Sequence, residues 1–166
     1  MKRTLIHNAT IVNEGRSVQG SVVIEGDRIA EILTYGKKLS VPCDETIDAT
    51  GCCLLPGVID DHVHFRDPGL THKADIFTES RAAAAGGVTS IMDMPNTNPL
   101  TTTLSALEQK FDLLNEKCIV NHSCYFGATN NNYTEFNQLD KQRVCGIELF
   151  MGSSSGNMRV AKADGQ

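Results

Sequence analysis

The chain has little basic charge, no long apolar run and no paired cysteine motif, and each absence excludes a class of protein. Its 166 residues contain 15 Lys and Arg against 20 Asp and Glu, and no basic cluster marks a nucleic-acid surface. No apolar run reaches the length of a membrane span. The first residues, MKRTLIHNATIVNEG, lack the apolar region of a secretory signal. We therefore expect a cytoplasmic protein without nucleic-acid or membrane partners.

None of the six cysteines belongs to a C-x-x-C pair, and most stand among apolar residues. They are Cys43, Cys52, Cys53, Cys118, Cys124 and Cys145. This pattern favours reduced cysteines packed in a core over disulfides or zinc ligands. With 40% hydrophobic residues, the chain is long enough for one domain with a substantial core.

Residues 1–55 predict short β-strands and contain no cluster of catalytic side chains. Loose apolar alternation predicts the strands, and Glu25-Gly26-Asp27 predicts a hairpin turn between two of them. We interpret this segment as a small β-sandwich or sheet with a structural role. The predicted strands cover residues 4–12, 21–24, 28–32, 45–48 and 52–55.

From Gly57 onward, predicted strands alternate with predicted helices. This alternation indicates a parallel sheet with right-handed crossovers, either an open α/β sheet or half of a (β/α)8 barrel. The strands are predicted over 58–62, 88–93, 119–126 and 144–150. The helices are predicted over 76–86, around 104–114 and near 133–139, and a Ser/Gly-rich loop follows at 152–158.

The second of these helices has the clearest pattern. Ser105 and Glu108 have the spacing of a capping box, which predicts the start of the helix. Apolar residues at helical spacing then predict one buried face. They are Leu104, Leu107, Phe111 and Leu114.

The stretch LPGVIDDHVHFRDPG holds the strongest chemical signal. His62 and His64 end an apolar run and are separated by one valine. Side chains at i and i+2 of a strand point to the same face, so the two imidazoles leave the backbone side by side, as two ligands of one metal ion would. Arg66 is predicted to continue this alternation before Pro68-Gly69 ends the strand. The alternative, an edge strand with two surface histidines, fits poorly with the apolar run.

Polar side chains follow three of the predicted strands at their carboxyl ends. Barrels and open parallel sheets both place their ligand sites at this edge. The edge is therefore where we expect a functional site, whichever of the two folds is correct. The side chains are His62, His64, Arg66, Asp93, Asn96 and Glu148.

The motifs GVIDDHVHFRDPG and AAAAGGVTSIMDMPNTNP resemble the amidohydrolase superfamily and, within it, the dihydroorotase family, and the resemblance extends through CGIELFMGSSSGNM. It implies an α/β fold in which a β-sandwich segment, 1–55, precedes the first half of a (β/α)8 TIM barrel, 56–166, truncated. It also implies a zinc-dependent cyclic amide hydrolase that interconverts N-carbamoyl-L-aspartate and dihydroorotate in pyrimidine biosynthesis.

The resemblance further implies that His62 and His64 bind metal and that Arg66 and Asn96 hold a substrate carboxylate. Zinc bound by neutral imidazoles lowers the pKa of its water to about 7. A guanidinium supplies forked donors and charge to a carboxylate, and a carboxamide adds a neutral donor. Hydantoinases and allantoinase share the H-x-H strand but generally lack this Arg and Asn pairing. A small-molecule substrate with a carboxylate is therefore favoured over their substrates.

Position 148 departs from the family pattern, which has a lysine that is carboxylated to bridge two metals. Glu148 keeps a carboxylate, but its reach is shorter by about 3–4 Å. We expect Glu148 as a third ligand in weak or single-metal binding, so that of one or two zinc ions the second is disfavoured.

The chain is also much shorter than members of the resembled family, and it contains no residue that we assign to catalysis. We expect it to lack turnover alone and to associate, either as a homo-oligomer or with a larger amidohydrolase chain. The alternative from another class is a non-catalytic dihydroorotase-like scaffold or partner subunit. The change at Glu148 favours that alternative mildly, and the presence of Arg66 and Asn96 favours an enzyme.

Overall fold

The computed structural model describes residues 1–152 and 158–160, and the chain divides into two compact units, Met1–Pro56 and Gly57–Gln166. Most of the Ser/Gly-rich loop that was predicted at 152–158 lies outside the described residues. No helix in the described ranges is both long enough and apolar enough to cross a bilayer.

The first unit is one mixed sheet, which is the second of the two arrangements that the sequence left open. Its strands are β1 (Arg3–Asn13), β2 (Arg16–Glu25), β3 (Arg28–Thr34), β4 (Glu45–Asp48) and β5 (Cys53–Leu54). The order is β3-β2-β1-β4, and β5 also pairs with β1. Strand β1 is antiparallel to β2 but parallel to β4 and β5.

The hairpin predicted between β2 and β3 is confirmed. The two strands are antiparallel and are joined by Gly26 and Asp27 alone. Gly26 has a φ of 61°, which a residue without a Cβ atom adopts without steric cost. The turn chemistry therefore sets the register of this pair of strands.

The second unit confirms the predicted alternation of strands and helices. Four parallel strands pair in the order β6-β7-β8-β9. The elements are β6 (Val58–Val63), α1 (Ile76–Ala85), β7 (Val88–Asp93), α2 (Leu104–Lys117), β8 (Asn121–Gly127), a 3₁₀ helix (Tyr133–Gln138) and β9 (Gly146–Glu148). The third and fourth strands are shorter than predicted, and the third helix has 3₁₀ geometry.

The core of this unit combines side chains of the sheet with the apolar face of α2. The predicted face is confirmed for its three buried members, Leu107, Phe111 and Leu114, while Leu104 is half-buried. Burial of this face is the main source of stability for a helix of this length. The cluster contains Phe65, Ile76, Ile91, Leu107, Phe111, Leu114, Cys124 and Phe126.

The predicted capping box of α2 is wrong. The cap is Thr103, whose hydroxyl accepts a hydrogen bond from the backbone N–H of Ala106 at 3.2 Å. The helix begins at Leu104, so Ser105 already lies inside its first turn. Glu108 points elsewhere and forms an ion pair with Arg143, with 3.0 Å between the nitrogen and the oxygen. A threonine two positions earlier satisfies one of the orphan donors of the first turn.

All six cysteines are free thiols, but the prediction that they are core residues is wrong for Cys52 and Cys53, which are exposed. Cys53 begins the two-residue strand β5, and Cys52 lies just before it. Cys124 does lie in the core, where burial raises the pKa of its thiol to about 12. A thiol with this pKa is protonated at neutral pH, so Cys124 contributes to the packing of the core.

Replacing Phe126 by Ala should destabilise the protein by about 3–5 kcal/mol, because this ring is fully buried and its loss leaves a cavity. Urea unfolding of the 166-residue chain measures the change. Phe77→Ala is the matched control, because the Phe77 side chain is 50% exposed and its loss should cost about 1 kcal/mol. Equal losses for the two variants would contradict the position assigned to the core.

Candidate metal and substrate site

The two histidines of the H-x-H motif lie side by side at the carboxyl end of β6. His62 belongs to the strand, and His64 follows its last residue. The ring centroids are 5.1 Å apart, and the ring planes meet at 71°. His62 is exposed and His64 is half-buried. The two imidazoles are therefore neighbours, and only that of His64 is partly buried.

Asn96 contacts His64 directly. Nδ1 of His64 lies 2.8 Å from Oδ1 of Asn96, although the two residues are 32 positions apart. When the Nδ1–H group donates to this oxygen, the lone pair of Nε2 is left available for a metal ion. Asn96 is only 6% exposed, and within the described ranges no hydrogen bond uses the two donors of its amide NH₂ group.

The chain turns at Arg66 instead of continuing the strand. Strand β6 has already ended there, and Arg66 has a φ of 63°, in the left-handed region. The prediction that Arg66 continues the alternation of the two histidines is therefore wrong. Its carbonyl oxygen accepts the N–H of Leu70 at 3.0 Å, which closes a turn. In the described part of the chain, no hydrogen bond or ion pair joins the Arg66 guanidinium to His64 or Asn96.

Behind the site lies a buried ion pair between Asp93, the last residue of β7, and Lys110 of α2. Both side chains are fully buried, and Nζ of Lys110 is 2.8 Å from Oδ2 of Asp93. Among the residues that the structure describes, none donates a hydrogen bond of good geometry to this oxygen, so the contact is electrostatic. The other carboxylate oxygen accepts the backbone N–H of Phe65 at 2.9 Å. Lys110 also donates to the backbone carbonyl of Met94.

Glu148 ends β9 and lies within electrostatic reach of the histidines. Burial raises the pKa of its carboxyl group, and the positive potential of His62 and His64 opposes this shift. Its Oε2 atom is buried, and none of the described residues forms a hydrogen bond with it. Over residues 1–152 and 158–160, no three His, Cys, Asp or Glu side chains are grouped so that they could hold a metal ion.

Residues 51–155 match the family model described as dihydro-orotase-like. The chain belongs to this family. It is 38% identical over 161 residues to the dihydroorotase of Methanosarcina mazei, a match that covers 96% of this chain and 34% of that protein. It is 34% identical over 151 residues to the allantoinase of Deinococcus radiodurans, which covers 90% of this chain and 33% of that protein.

A solved structure extends this likeness to the fold. The L-hydantoinase (dihydropyrimidinase) of Arthrobacter aurescens matches with a TM-score of 0.89 and 30% identity, over 99% of this chain and 36% of that one. The expected fold class, a β-rich segment followed by the N-terminal part of a (β/α)8 barrel, is confirmed. The chain of this dihydroorotase-like protein spans about one third of the length of these relatives.

Sequence reasoning missed Lys110, and it placed Asp93 at the carboxyl end of a strand without predicting its partner. A signal for Lys110 was present, because this charged residue stands on the apolar face of α2 formed by Leu107, Phe111 and Leu114. A lysine at a buried position requires a partner. That partner is Asp93, which lies at the carboxyl end of β7.

Replacing Arg66 by Gly should leave stability unchanged or raise it by about 1 kcal/mol, because a residue with a Cβ atom is strained at this φ. Urea unfolding of Arg66→Gly and of Arg66→Ala separates two effects. The alanine variant keeps the backbone strain and loses the guanidinium. A loss of more than about 1 kcal/mol in both variants would mean that the side chain stabilises the fold.

Proposed function

We propose that this chain is part of a zinc-dependent cyclic amide hydrolase of the dihydroorotase type. The contact between His64 and Asn96 carries the proposal, because it joins a metal-ligand candidate to a substrate-binding candidate at 2.8 Å. An imidazole oriented through one nitrogen is prepared to bind metal through the other. The same contact leaves the amide donors of Asn96 beside that position.

The donor chemistry of the site fits zinc. His62 and His64 would hold the ion, and Glu148, whose buried Oε2 atom has no partner in the described part of the chain, would be the third ligand. A bound zinc ion would supply Lewis-acid activation of the amide carbonyl and of a water molecule at neutral pH. In the described residues, Glu148 and the two histidines are not grouped closely enough to hold a metal ion together. We therefore infer weak binding of a single ion.

A substrate carboxylate is the feature that Arg66 and Asn96 would recognise. Asn96 would donate through its free amide group, and Arg66 would add charge from the turn after β6. Dihydroorotate and N-carbamoyl-L-aspartate carry such a carboxylate, and the 38% identity to a dihydroorotase supports them. The proposed setting is pyrimidine biosynthesis in the cytoplasm.

The second candidate is a hydrolase of the hydantoinase or allantoinase type. It is favoured by the match to the Arthrobacter aurescens L-hydantoinase, with a TM-score of 0.89. Substrates of that kind do not require the carboxylate contact of Arg66 and Asn96, so their use would leave these two side chains without a role. A non-catalytic scaffold is the third candidate, and Glu148 is the residue that supports it.

The matched region is about one third of the relatives, and we propose that turnover belongs to a whole barrel rather than to these 166 residues alone. In this proposal, residues 1–55 are a structural β-segment, and residues 56–166 are the first half of the metal-dependent barrel. The partner would be a second copy or a larger amidohydrolase chain that completes the barrel.

Zinc analysis of the dialysed chain tests the metal site. We expect at most one zinc ion per chain, because only two imidazoles and one short carboxylate are available. The ion should be lost in His62→Ala and His64→Ala and weakened in Glu148→Ala. His72→Ala is the matched control, because this histidine is exposed and lies in a turn between β6 and α1. Two ions per chain, or unchanged zinc in Glu148→Ala, would contradict the assignment.

A chimera tests the substrate class. In it, the matched part of this chain, which is 96% of its length, replaces the matching third of the Methanosarcina mazei dihydroorotase. The isolated chain should show no turnover, and the chimera should hydrolyse dihydroorotate, more rapidly after Glu148→Lys. Asn96→Ala in the chimera should raise KM by roughly tenfold or more, because a charge-assisted hydrogen bond is lost.

Two results would overturn this proposal. Turnover of dihydroorotate by the isolated chain would show that the whole barrel is not required. Faster hydrolysis of hydantoin than of dihydroorotate by the chimera, with no effect of Asn96→Ala, would favour the second candidate.

A further inference from the structure

The buried pair of Asp93 and Lys110 is bonded to the backbone of both loops that carry the proposed site. Asp93 accepts the N–H of Phe65, the residue directly after His64, at 2.9 Å. Lys110 donates to the carbonyl of Met94, which lies in the loop that leads to Asn96. The pair itself is 2.8 Å apart and fully buried. One electrostatic contact therefore ties the end of β6, the end of β7 and helix α2 together.

Stability alone gives a weak reason for such a pair. Removing two charges from water costs several kcal/mol, and apolar residues of similar volume at such positions are often equally stabilising or better. The surrounding core is apolar and contains Leu107, Phe111 and Leu114 on the same helix. A hydrophobic side chain at position 110 would fit this environment. Such a side chain could not donate a hydrogen bond to the carbonyl of Met94, and it would carry no positive charge to pair with Asp93.

We propose that Lys110 and Asp93 are positioning residues that set the contact between His64 and Asn96. Neither side chain touches substrate or metal in this assignment. They act by holding the two loops at the spacing where Nδ1 of His64 meets Oδ1 of Asn96 at 2.8 Å. The contact selects the imidazole tautomer that keeps Nε2 free. The inference rests on the proposed function, because it concerns the same two residues.

The tautomer of His64 is the direct readout, since it reports the contact with Asn96 without metal or substrate. Long-range ¹H–¹⁵N spectra of the labelled 166-residue chain, recorded near pH 8, distinguish imidazole protonated at Nδ1 from imidazole protonated at Nε2. The His64→Gln spectrum assigns the signal. In the wild-type chain we expect His64 to be protonated predominantly at Nδ1.

Two variants remove the positioning contact. Lys110→Met removes the donor to Met94 and leaves the buried carboxylate of Asp93 without an opposite charge, so it is expected to be less stable. The double variant Asp93→Asn, Lys110→Met buries no net charge and keeps an oxygen for the N–H of Phe65. It should therefore remain folded. In both variants, we expect His64 to lose its preference for Nδ1 protonation and zinc affinity to fall by about tenfold or more.

Leu114→Ala is the matched control for loss of stability. Leu114 is fully buried on the same helix, one turn after Lys110, and its truncation should cost about 2–5 kcal/mol. It has no polar contact with either loop. We expect the tautomer of His64 in this variant to match that of the wild-type chain.

Each outcome supports or overturns the inference. A tautomer change in the double variant but not in Leu114→Ala supports it. An unchanged tautomer in the double variant, an equal change in Leu114→Ala, or a wild-type His64 protonated at Nε2 overturns it. If the wild-type chain binds no zinc but the double variant changes the tautomer, the proposed metal function fails and the positioning role stands.

Discussion

The carboxylate of Asp93 and the ammonium group of Lys110 are buried together, and the second unit is arranged around that constraint. Neither charge is tolerated in the interior alone, so each position requires the other. The remaining polar atoms are satisfied by the backbone at Phe65 and Met94. As a result, α2 and the ends of β6 and β7 are held together by a polar contact within an otherwise apolar core.

The candidate site follows from where this contact lies. Parallel strands bring their carboxyl ends to one edge of the sheet, and the residues that follow them are free of the ladder of hydrogen bonds. His64 and Asn96 come from two such ends and meet there. The left-handed turn at Arg66 takes the chain away from the strand immediately after the histidines. The edge thus presents imidazole, carboxamide and, from β9, carboxylate groups whose chemistry suits a metal-assisted hydrolase.

Much of the local structure was predictable because it depends on short-range patterns. The apolar spacing of α2 and the Gly26 hairpin are properties of neighbouring residues, and both were predicted correctly. The capping residue of α2 was misassigned because Thr103 and Ser105 are both good caps, and packing decides between them. The course of the chain at Arg66 was also missed, since nothing in H-x-H-x-R states where pairing with the next strand stops.

The sequence by itself determined the family, the alternation of strands and helices, and the neighbouring position of His62 and His64 at the end of one strand. These are consequences of residue type at separations of a few positions. Only the tertiary structure decided that Asn96 bonds to His64 across 32 positions and that Lys110 lies fully buried beside Asp93. Such contacts depend on strand register and helix packing, because distant residues meet only after the sheet has formed and the core has closed around them.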